Sequence, residues 1–244
     1  MTHHIVAVSG GKDSTAMALA LRDLHPDIDF TYVCTPTGDE LPEMFAHWRE
    51  LGERLGKRIL PIMHTTGLNG VIQAERMLPN FRARFCTRIL KIEPYREWLA
   101  AHTPCVSYVG LRADEAGRAG GAYSDIDGVE MRFPLREWGW GLRHVQGYLE
   151  LAGITIPRRT DCARCYHQRI GEWWDLWNDY PEIWREAEAQ EAGLKATFRT
   201  PGRDSWPTGL RDLRQAFEAG RVPKAVAQRD DPTRQAGACR VCTI

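Results

Sequence analysis

The sequence lacks the segments by which proteins enter or cross membranes. It contains no apolar run of about 18 residues, the length at which a membrane-spanning helix is expected. It also lacks an amino-terminal basic stretch followed by an apolar one that ends in small residues, as in a secretory signal. We therefore expect a cytoplasmic protein with no membrane partner.

The chain also lacks an excess of charge of either sign. Lysine plus arginine and aspartate plus glutamate number 32 each, which gives a formal net charge of zero. A balanced chain has no bulk attraction for nucleic acid, although 26% charged residues leave room for a local basic patch. Charge therefore neither indicates nor excludes a polymeric substrate.

Apolar residues and cysteines are both well represented. Apolar residues make up 43% of the 244 residues, enough to form the core of one α/β domain with an appendage or of two small domains. The seven cysteines are an odd number, and nearby pairs of them in a cytoplasmic chain usually indicate metal or redox chemistry. We expect a globular protein with a cysteine-based site.

The stretch AVSGGKDST, residues 7–15, predicts a phosphate site. A short apolar strand leads into two glycines that permit positive φ and close approach of a ligand, and a helix follows whose first N–H groups attract anions. Lys12 would add a mobile positive charge, and Asp13 would orient the turn or help to hold Mg²⁺. The alternative is a glycine turn with an ordinary helix cap. The predicted phosphate-binding residues are Ser9, Gly10, Gly11, Lys12, Asp13 and Ser14.

Strand and helix patterns alternate through the first two thirds of the chain. The strand candidates are residues 3–9, 28–35, 57–63 and 105–111, and the helix candidates between them are residues 14–24, 41–56 and 88–102. This alternation predicts an α/β fold with a mostly parallel, doubly wound, Rossmann-like sheet and helices on both faces. We predict a nucleotide-binding core over residues 1–157 and a helical carboxyl-terminal region over residues 158–244. That region contains a tryptophan-rich helix broken at Pro181, and a terminal CxxC in a tail that could be mobile.

The phosphate loop is not a Walker loop, because GxxxxGK[ST] is absent. It resembles the SGGxDS signature of the PP-loop enzymes, the adenine nucleotide α-hydrolase-like ATP pyrophosphatases. Such enzymes split ATP between the α- and β-phosphates and leave AMP on a substrate. The resemblance therefore implies an ATP-binding enzyme that uses Mg²⁺.

Three further segments resemble the phosphoadenosine phosphosulfate (PAPS) reductase branch of this group. They are TPTGDELPE from residue 35, FCTRILKIEPYREWL from residue 85 and YVGLRADEAGRAG from residue 108. The first implies that Thr37, Gly38 and Asp39 lie against the nucleotide. The third implies that Arg112 and Arg118 bind phosphate or sulfate, since a guanidinium can hold such an oxyanion bidentately. The alternative for each arginine is a solvated loop charge.

The resemblance also extends to cysteines. Cys86 and the CxxC of Cys162 and Cys165 match three of the four cluster ligands of iron–sulfur sulfonucleotide reductases, and Thr87 stands at the fourth position. Three thiolates would leave one iron of a 4Fe-4S cluster open to a substrate or to sulfide. The alternatives are a Zn²⁺ site completed by His167, a fourth ligand from another cysteine, and free thiols.

The sequence ends in a second CxxC formed by Cys239 and Cys242. PAPS reductases carry a catalytic cysteine in a comparable tail, which implies a nucleophile here, although the flanking residues of their motif are absent. The pair could also form an internal disulfide, bind metal or carry a persulfide. An inert terminus is the alternative.

These patterns predict an adenine nucleotide enzyme of sulfur metabolism. The first hypothesis is ATP α,β-cleavage with pyrophosphate release, coupled to sulfur transfer at a cysteine-ligated metal centre onto a nucleic-acid or protein acceptor. The second is an APS or PAPS reductase that releases sulfite, with Cys239 or Cys242 as nucleophile and a thioredoxin-like reductant. The third is a nucleotide-binding regulatory module without turnover.

Overall fold

The computed structural model of the protein describes residues 2–115, 117–118, 123 and 125–227. These residues form two compact units, of which the first contains the chain up to Thr65 together with Thr87–Asp161. The second contains Thr66–Cys86 and the chain from Cys162 onward. The second unit thus includes an early segment in addition to the carboxyl-terminal part that the sequence pattern separates near residue 157.

The described residues form five strands and eleven α-helical segments. The strands are β1 (His3–Ala7), β2 (Phe30–Cys34), β3 (Leu60–Pro61), β4 (Cys105–Tyr108) and β5 (Val129–Arg132). The helices are α1 (Lys12–Leu24), α2 (Pro42–Leu55), α3 (Gly67–Glu75), α4 (Phe85–Thr87), α5 (Glu93–Ala100), α6 (Pro134–Glu137), α7 (Leu142–Leu151), α8 (Ile170–Asp179), α9 (Pro181–Leu194), α10 (Leu210–Glu218) and α11 (Lys224–Ala227). None of these described helices combines the length and the apolar character needed to cross a membrane.

All strands belong to one parallel sheet in the first unit, in the order β3-β2-β1-β4-β5. The predicted α/β class with a parallel sheet is confirmed. The sequence pattern did not predict β5, whose residues VEMR alternate weakly and bury only Val129 completely. β5 is a strand because its backbone pairs with β4 along Cys105–Tyr108, and its own side chains do not indicate this.

Helices cover both faces of the sheet, because its central strand is apolar on both sides. Val6 and Val8 of the β1 segment lie in a core cluster with residues of α1, α2 and α7. Ile5 and Ala7 lie in a second cluster with Tyr95 of α5. This period of two, with residues 5–8 buried on both faces, is typical of a strand inside a parallel sheet.

The strand order reverses at β1, and this reversal determines where the ligand-binding crevice of such folds lies. The chain moves from β1 to β2 on one side and returns to β4 on the other. Val6 pairs with Tyr108, so the loops that follow β1 and β4 leave the same edge of the sheet side by side. Open α/β sheets bind ligands at this switch point, outside the carboxyl ends of the strands.

The second unit is helical in its described part and has an aromatic core. Trp173 of α8, Trp184 of α9 and Phe198 are almost completely buried, and the two indole rings meet edge to face at 6.2 Å. The break before Pro181 separates α8 from α9. The tryptophans that are buried here contribute to packing, as expected for apolar positions at helical spacing.

A buried carboxylate of α9 fixes the connection to α10. Glu191 accepts hydrogen bonds from the N–H groups of Phe198 at 2.8 Å and Leu210 at 2.6 Å. The side chain is only 7% exposed. Burial outweighs these bonds and raises the pKa of Glu191 to about 7.

Glu191→Gln should flatten the pH dependence of stability. The pKa of Glu191 rises from 4.5 to about 7 on folding, so the folded protein holds this proton where the unfolded chain has lost it. The free energy of unfolding should therefore fall by about 1–3 kcal/mol as the pH rises through this interval. Urea unfolding at several pH values measures it. Glu182→Gln, on the exposed surface of α9, is the matched control; an equal slope in both variants would contradict the assignment.

Candidate functional site

A small cavity lies at the switch point of the first unit. It is lined on one side by Ser9, Gly11 and the first three residues of α1, and on the other by residues 109–111 and Arg118. The two sides are the loops that follow β1 and β4. The structure thus brings together the predicted phosphate loop and one of the two predicted anion-binding arginines.

Gly10 has a conformation and a setting that exclude a side chain. Its φ is +84°, in the region that favours glycine. A Cβ atom at this position would also lie 2.6 Å from Cε of Met44 and 2.7 Å from Nε1 of Trp48, both on α2. The glycine therefore lets α2 pack directly against the phosphate loop.

The amino terminus of α1 faces the cavity without a side-chain cap. The cap position is Gly11, which has no side chain to accept a hydrogen bond from the first turn of the helix. The hydroxyls of Ser9 and Ser14 contact each other at 3.0 Å and brace the turn, since Ser9 accepts from Gly11 N–H and Ser14 donates to Gly11 C=O. The first N–H groups of the helix have no intrahelical acceptors and can bind an anion.

The loop after β4 approaches the same helix end very closely. A Cβ atom on Gly110 would lie 3.0 Å from the backbone N and Cα of Ser14 and 3.1 Å from the carbonyl carbon of Asp13. These are backbone atoms, which cannot move aside as a flexible side chain can. Glycine at this position therefore allows the two loops to enclose a narrow cavity.

Arg112 contacts carboxylates in this structure. Its Nη1 lies 3.0 and 2.9 Å from the two carboxylate oxygens of Asp13, its Nε donates to Asp114 at 2.8 Å, and Nη2 lies 3.5 Å from Glu115. The arrangement shows Arg112 orienting Asp13, whose carboxylate lies 3.6 Å from Nζ of Lys12. Direct binding of an oxyanion by Arg112 stays a prediction.

Arg118 is the arginine that lines the cavity. Its Nη1 contacts Glu115 at 2.9 Å, and its side chain is 29% exposed. Lys12, on the other side of the cavity, is 9% exposed. Two cationic groups therefore face the space in front of the helix amino terminus, where a phosphate chain would lie.

Arg136, which the sequence pattern did not identify, holds the arginine loop. Its guanidinium donates from Nη2 to the carbonyls of Glu115, at 2.9 Å, and Arg118, and from Nε to that of Arg112 at 3.5 Å. Arg136 lies in α6, so a helix outside the cavity fixes the backbone that presents Arg118. Because these bonds go to main-chain oxygens, no pattern of loop residues could indicate them.

The loop after β2 contains the predicted nucleotide-binding residues Thr37, Gly38 and Asp39. The carboxylate of Glu40 accepts from the Thr37 N–H and hydroxyl, both at 2.7 Å, and from the Gly38 N–H at 3.0 Å. Asp39 is buried, and its N–H donates to the hydroxyl of Thr37 at 3.3 Å. Glu40 thus organises this loop. Contact of Thr37, Gly38 and Asp39 with the nucleotide stays a prediction.

His47 supports the phosphate loop from α2 and was also missed by sequence analysis. It is 5% exposed, and its Nε2 lies 3.4 Å from the hydroxyl of Thr15. Burial lowers its pKa below 6.5, against opposing effects of Glu50 and a hydrogen bond with the backbone of Gly10. A neutral imidazole therefore packs beneath the loop. In the sequence, His47 is a lone histidine on the buried face of an amphipathic helix, and such a position indicates only a core residue.

The cysteines Cys86, Cys162 and Cys165 all belong to the second unit. Cys165 N–H donates to Cys162 C=O at 3.2 Å, which forms the CxxC turn. Burial raises the pKa of Tyr166 to about 12, Arg84 opposes the rise, and Cys86 and Cys165 add to it. The ring of His167 lies 4.2 Å from that of Tyr166.

Nevertheless, within the described part of the chain no three His, Cys, Asp or Glu side chains are grouped as they would be to hold a metal ion. The metal ligands Cys86, Cys162, Cys165 and His167 therefore stay a prediction from the resemblance. Cys239 and Cys242 lie outside the described residues.

The fold and the cavity define an α/β protein with a glycine loop at the switch point of a parallel sheet, the place where such folds bind ligands. Residues 3–162 match the family model described as phosphoadenosine phosphosulfate reductase domain. The chain therefore belongs to the PAPS reductase family, within the PP-loop superfamily.

Two further comparisons complete this picture. No curated protein sequence matches the chain. Among solved structures, the phosphate complex of phosphoadenylyl-sulfate (PAPS) reductase from Candida auris is similar at a TM-score of 0.49 and 12% identity, covering 64% of this chain and 75% of that chain.

Arg136→Lys should loosen the arginine loop while keeping the charge. A lysine cannot donate to the carbonyls of Glu115 and Arg118 in the fork geometry of a guanidinium. We expect faster amide hydrogen exchange at residues 112–115 and roughly tenfold weaker nucleotide binding, the effect of about 1.4 kcal/mol. Arg132→Lys, whose side chain pairs with Glu137 outside the cavity, is the control. Unchanged exchange in Arg136→Lys would contradict this role.

Proposed function

We propose that the chain binds ATP at the switch-point cavity and splits it between the α- and β-phosphates, releasing pyrophosphate and adenylating an acceptor. The observation that supports this most directly is the uncapped amino terminus of α1, which together with Lys12 lines one side of a narrow cavity whose other side includes Gly110 and Arg118. Such a site offers oriented N–H groups and two cations to a phosphate chain.

Each group at the cavity has a role in this proposal. The helix N–H groups and Lys12 hold the β- and γ-phosphates, and so stabilise the charge that develops on departing pyrophosphate. Arg118 stabilises charge on the α-phosphate while an acceptor oxygen attacks in line. The role of Arg112 is to keep the carboxylate of Asp13 in place.

Mg²⁺ is the cofactor implied by this chemistry, and Asp13 fits it. Asp13 is one of the residues that line the cavity, and a carboxylate is the hard oxygen ligand that Mg²⁺ prefers. When bound, the ion would neutralise part of the charge on the phosphate chain.

The second half of the proposal is sulfur transfer at Cys86, Cys162 and Cys165. It rests on the family resemblance of these three positions, because the described side chains do not form a metal-binding group. A 4Fe-4S cluster would supply sulfur or electrons there, and Zn²⁺ with His167 is the alternative. We propose a nucleic-acid or protein acceptor and a cytoplasmic location.

A second candidate function is the reduction of APS or PAPS to sulfite. The observation that favours it is the match of residues 3–162 to the PAPS reductase domain itself. The same cavity would then hold the phosphosulfate, Cys239 or Cys242 would attack the sulfur, and a thioredoxin-like protein would reduce the product.

Anaerobically purified protein incubated separately with ATP, APS and PAPS distinguishes these functions. Pyrophosphate from ATP supports adenylation, and sulfite from APS or PAPS in the presence of a thiol supports the reductase. Iron and zinc are measured on the same preparation. Tight nucleotide binding without either product would overturn both and leave a binding module.

Lys12→Ala should slow pyrophosphate release by about 10²–10³-fold, the usual effect of removing one charge-stabilising group. The fold should persist, because the ion pair of Lys12 within the described residues is with its neighbour Asp13. Lys57→Ala removes the same charge where it pairs with Asp29, far along the chain from the loop, and is the matched control. Turnover at the wild-type rate in Lys12→Ala would refute the assignment.

Cys162→Ser should remove most of the bound iron or zinc, since a serine hydroxyl is a poor substitute for a thiolate ligand. Metal analysis and the visible spectrum of anaerobic protein measure the loss. Cys105→Ser, in the core of the first unit with its thiol 3.9 Å from the carbonyl of Leu99, is the control. Full metal retention by Cys162→Ser would exclude it as a ligand.

A further inference from the structure

The second unit contains an exposed basic turn, residues 76–84, which we call the Phe81 turn. It follows α3 and precedes Cys86, and its sequence RMLPNFRAR contains three arginines and no acidic residue. The stretch is therefore positively charged, although the whole chain has no net charge.

Asn80 fixes the conformation of the Phe81 turn. Its carboxamide oxygen accepts from the N–H groups of Arg82 and Ala83, each at 3.0 Å. Asn80 and Ala83 also exchange two backbone hydrogen bonds of 3.2 Å. These bonds place Phe81 and Arg82 at the tip of a closed turn, because the residues on either side are tied together.

The turn presents an aromatic ring to solvent although neighbouring apolar residues are buried. Leu78 is 2% exposed and Phe85 is 7% exposed, whereas Phe81 is 54% exposed. The guanidinium carbon of Arg82 lies 5.2 Å from the centre of the Phe81 ring. Phe81 therefore contributes little to the core, and it forms with Arg82 an exposed pair of planar groups.

A further cation lies in the same unit. The exposed Arg203 donates to the carbonyls of Tyr166 and His167 at 3.2 and 2.9 Å. Arg203 thus lies beside the residues that follow the CxxC. This surface combines guanidinium groups with one projecting aromatic ring.

We propose that the Phe81 turn binds single-stranded nucleic acid, with Arg203 as a further cation of the same unit. Guanidinium groups match phosphates along a strand, and an exposed ring beside an arginine provides a platform on which an unpaired base stacks. A base inside a duplex has no free face for such a ring. The three arginines with no acidic residue among them favour a polyanion such as a nucleic acid strand.

This proposal goes beyond the nucleotide chemistry of the first unit. Binding of a strand requires neither ATP nor a metal centre. Only the further step, in which the bound strand is the acceptor for adenylation and sulfur, rests on the proposed function.

Fluorescence anisotropy with labelled oligonucleotides of about 12 nucleotides tests the surface directly, since single-strand sites span roughly 4–16 nucleotides. The probes are oligouridylate, oligodeoxythymidylate and a duplex of the same length, at about 50 and about 200 mM salt. We expect the full-length protein to bind a single strand more tightly than the duplex. The RNA and DNA arms show which backbone it prefers.

Phe81→Ala should weaken binding roughly tenfold at both salt concentrations, because it removes a stacking contact and no charge. Arg82→Ala should weaken it and lower the dependence on salt by about one phosphate contact. The controls are Phe45→Ala, which removes a 47% exposed ring in the first unit, and Arg185→Ala on α9. Circular dichroism verifies that each variant is folded.

Absence of binding to either single strand, equal affinity for the duplex, or wild-type affinity in Phe81→Ala and Arg82→Ala would each overturn the proposal. These results do not depend on pyrophosphate release. A protein that produces pyrophosphate but binds no strand would therefore refute the surface and leave the proposed ATP chemistry standing.

Discussion

The contact between the first turn of α1 and the loop after β4 is the constraint on which the site depends. Gly110 has no room for a Cβ atom, because backbone atoms of Asp13 and Ser14 occupy that space. The contact joins two loops that leave neighbouring parallel strands at the switch point. Lys12 and Arg118 line the same cavity because of it. α2 packs against the phosphate loop at Gly10, whose missing side chain leaves room for Met44 and Trp48.

Charge at the cavity is balanced and does not by itself select an anion. Lys12, Arg112 and Arg118 are positive, and the ion pairs they form are with the carboxylates of Asp13, Asp114 and Glu115. The preference for a phosphate must therefore come from the direction of the N–H groups and from which cations are accessible. Arg118 differs from Arg112 in this respect, because Arg112 is more enclosed by carboxylates and Arg118 lines the cavity.

The sequence predicted the parts of the fold and site whose signal is local. The glycines after an apolar strand, the period of two in β1 and the break before Pro181 each reflect a backbone requirement of the residues concerned. β5 was missed because its strand character comes from pairing with β4. Arg136 and His47 were missed because each acts on main-chain or hydroxyl groups distant in sequence. Glu40 acts on the neighbouring Thr37 and Gly38, and it was missed because its residue type does not indicate which way its carboxylate turns. A metal-binding group of Cys86, Cys162 and Cys165 would likewise depend on packing, and it stays a prediction from the resemblance.

The central claim is that the N–H groups at the start of α1 bind a phosphate chain. Amide NMR of ¹⁵N-labelled protein, titrated with a non-hydrolysable ATP analogue and Mg²⁺, tests it directly. We expect saturable shifts of the amide signals of residues Gly11, Lys12 and Asp13. In Lys12→Ala, the same titration should no longer shift the amide signals at these three positions. Saturable shifts confined to other parts of the chain, with these amides unchanged, would contradict it.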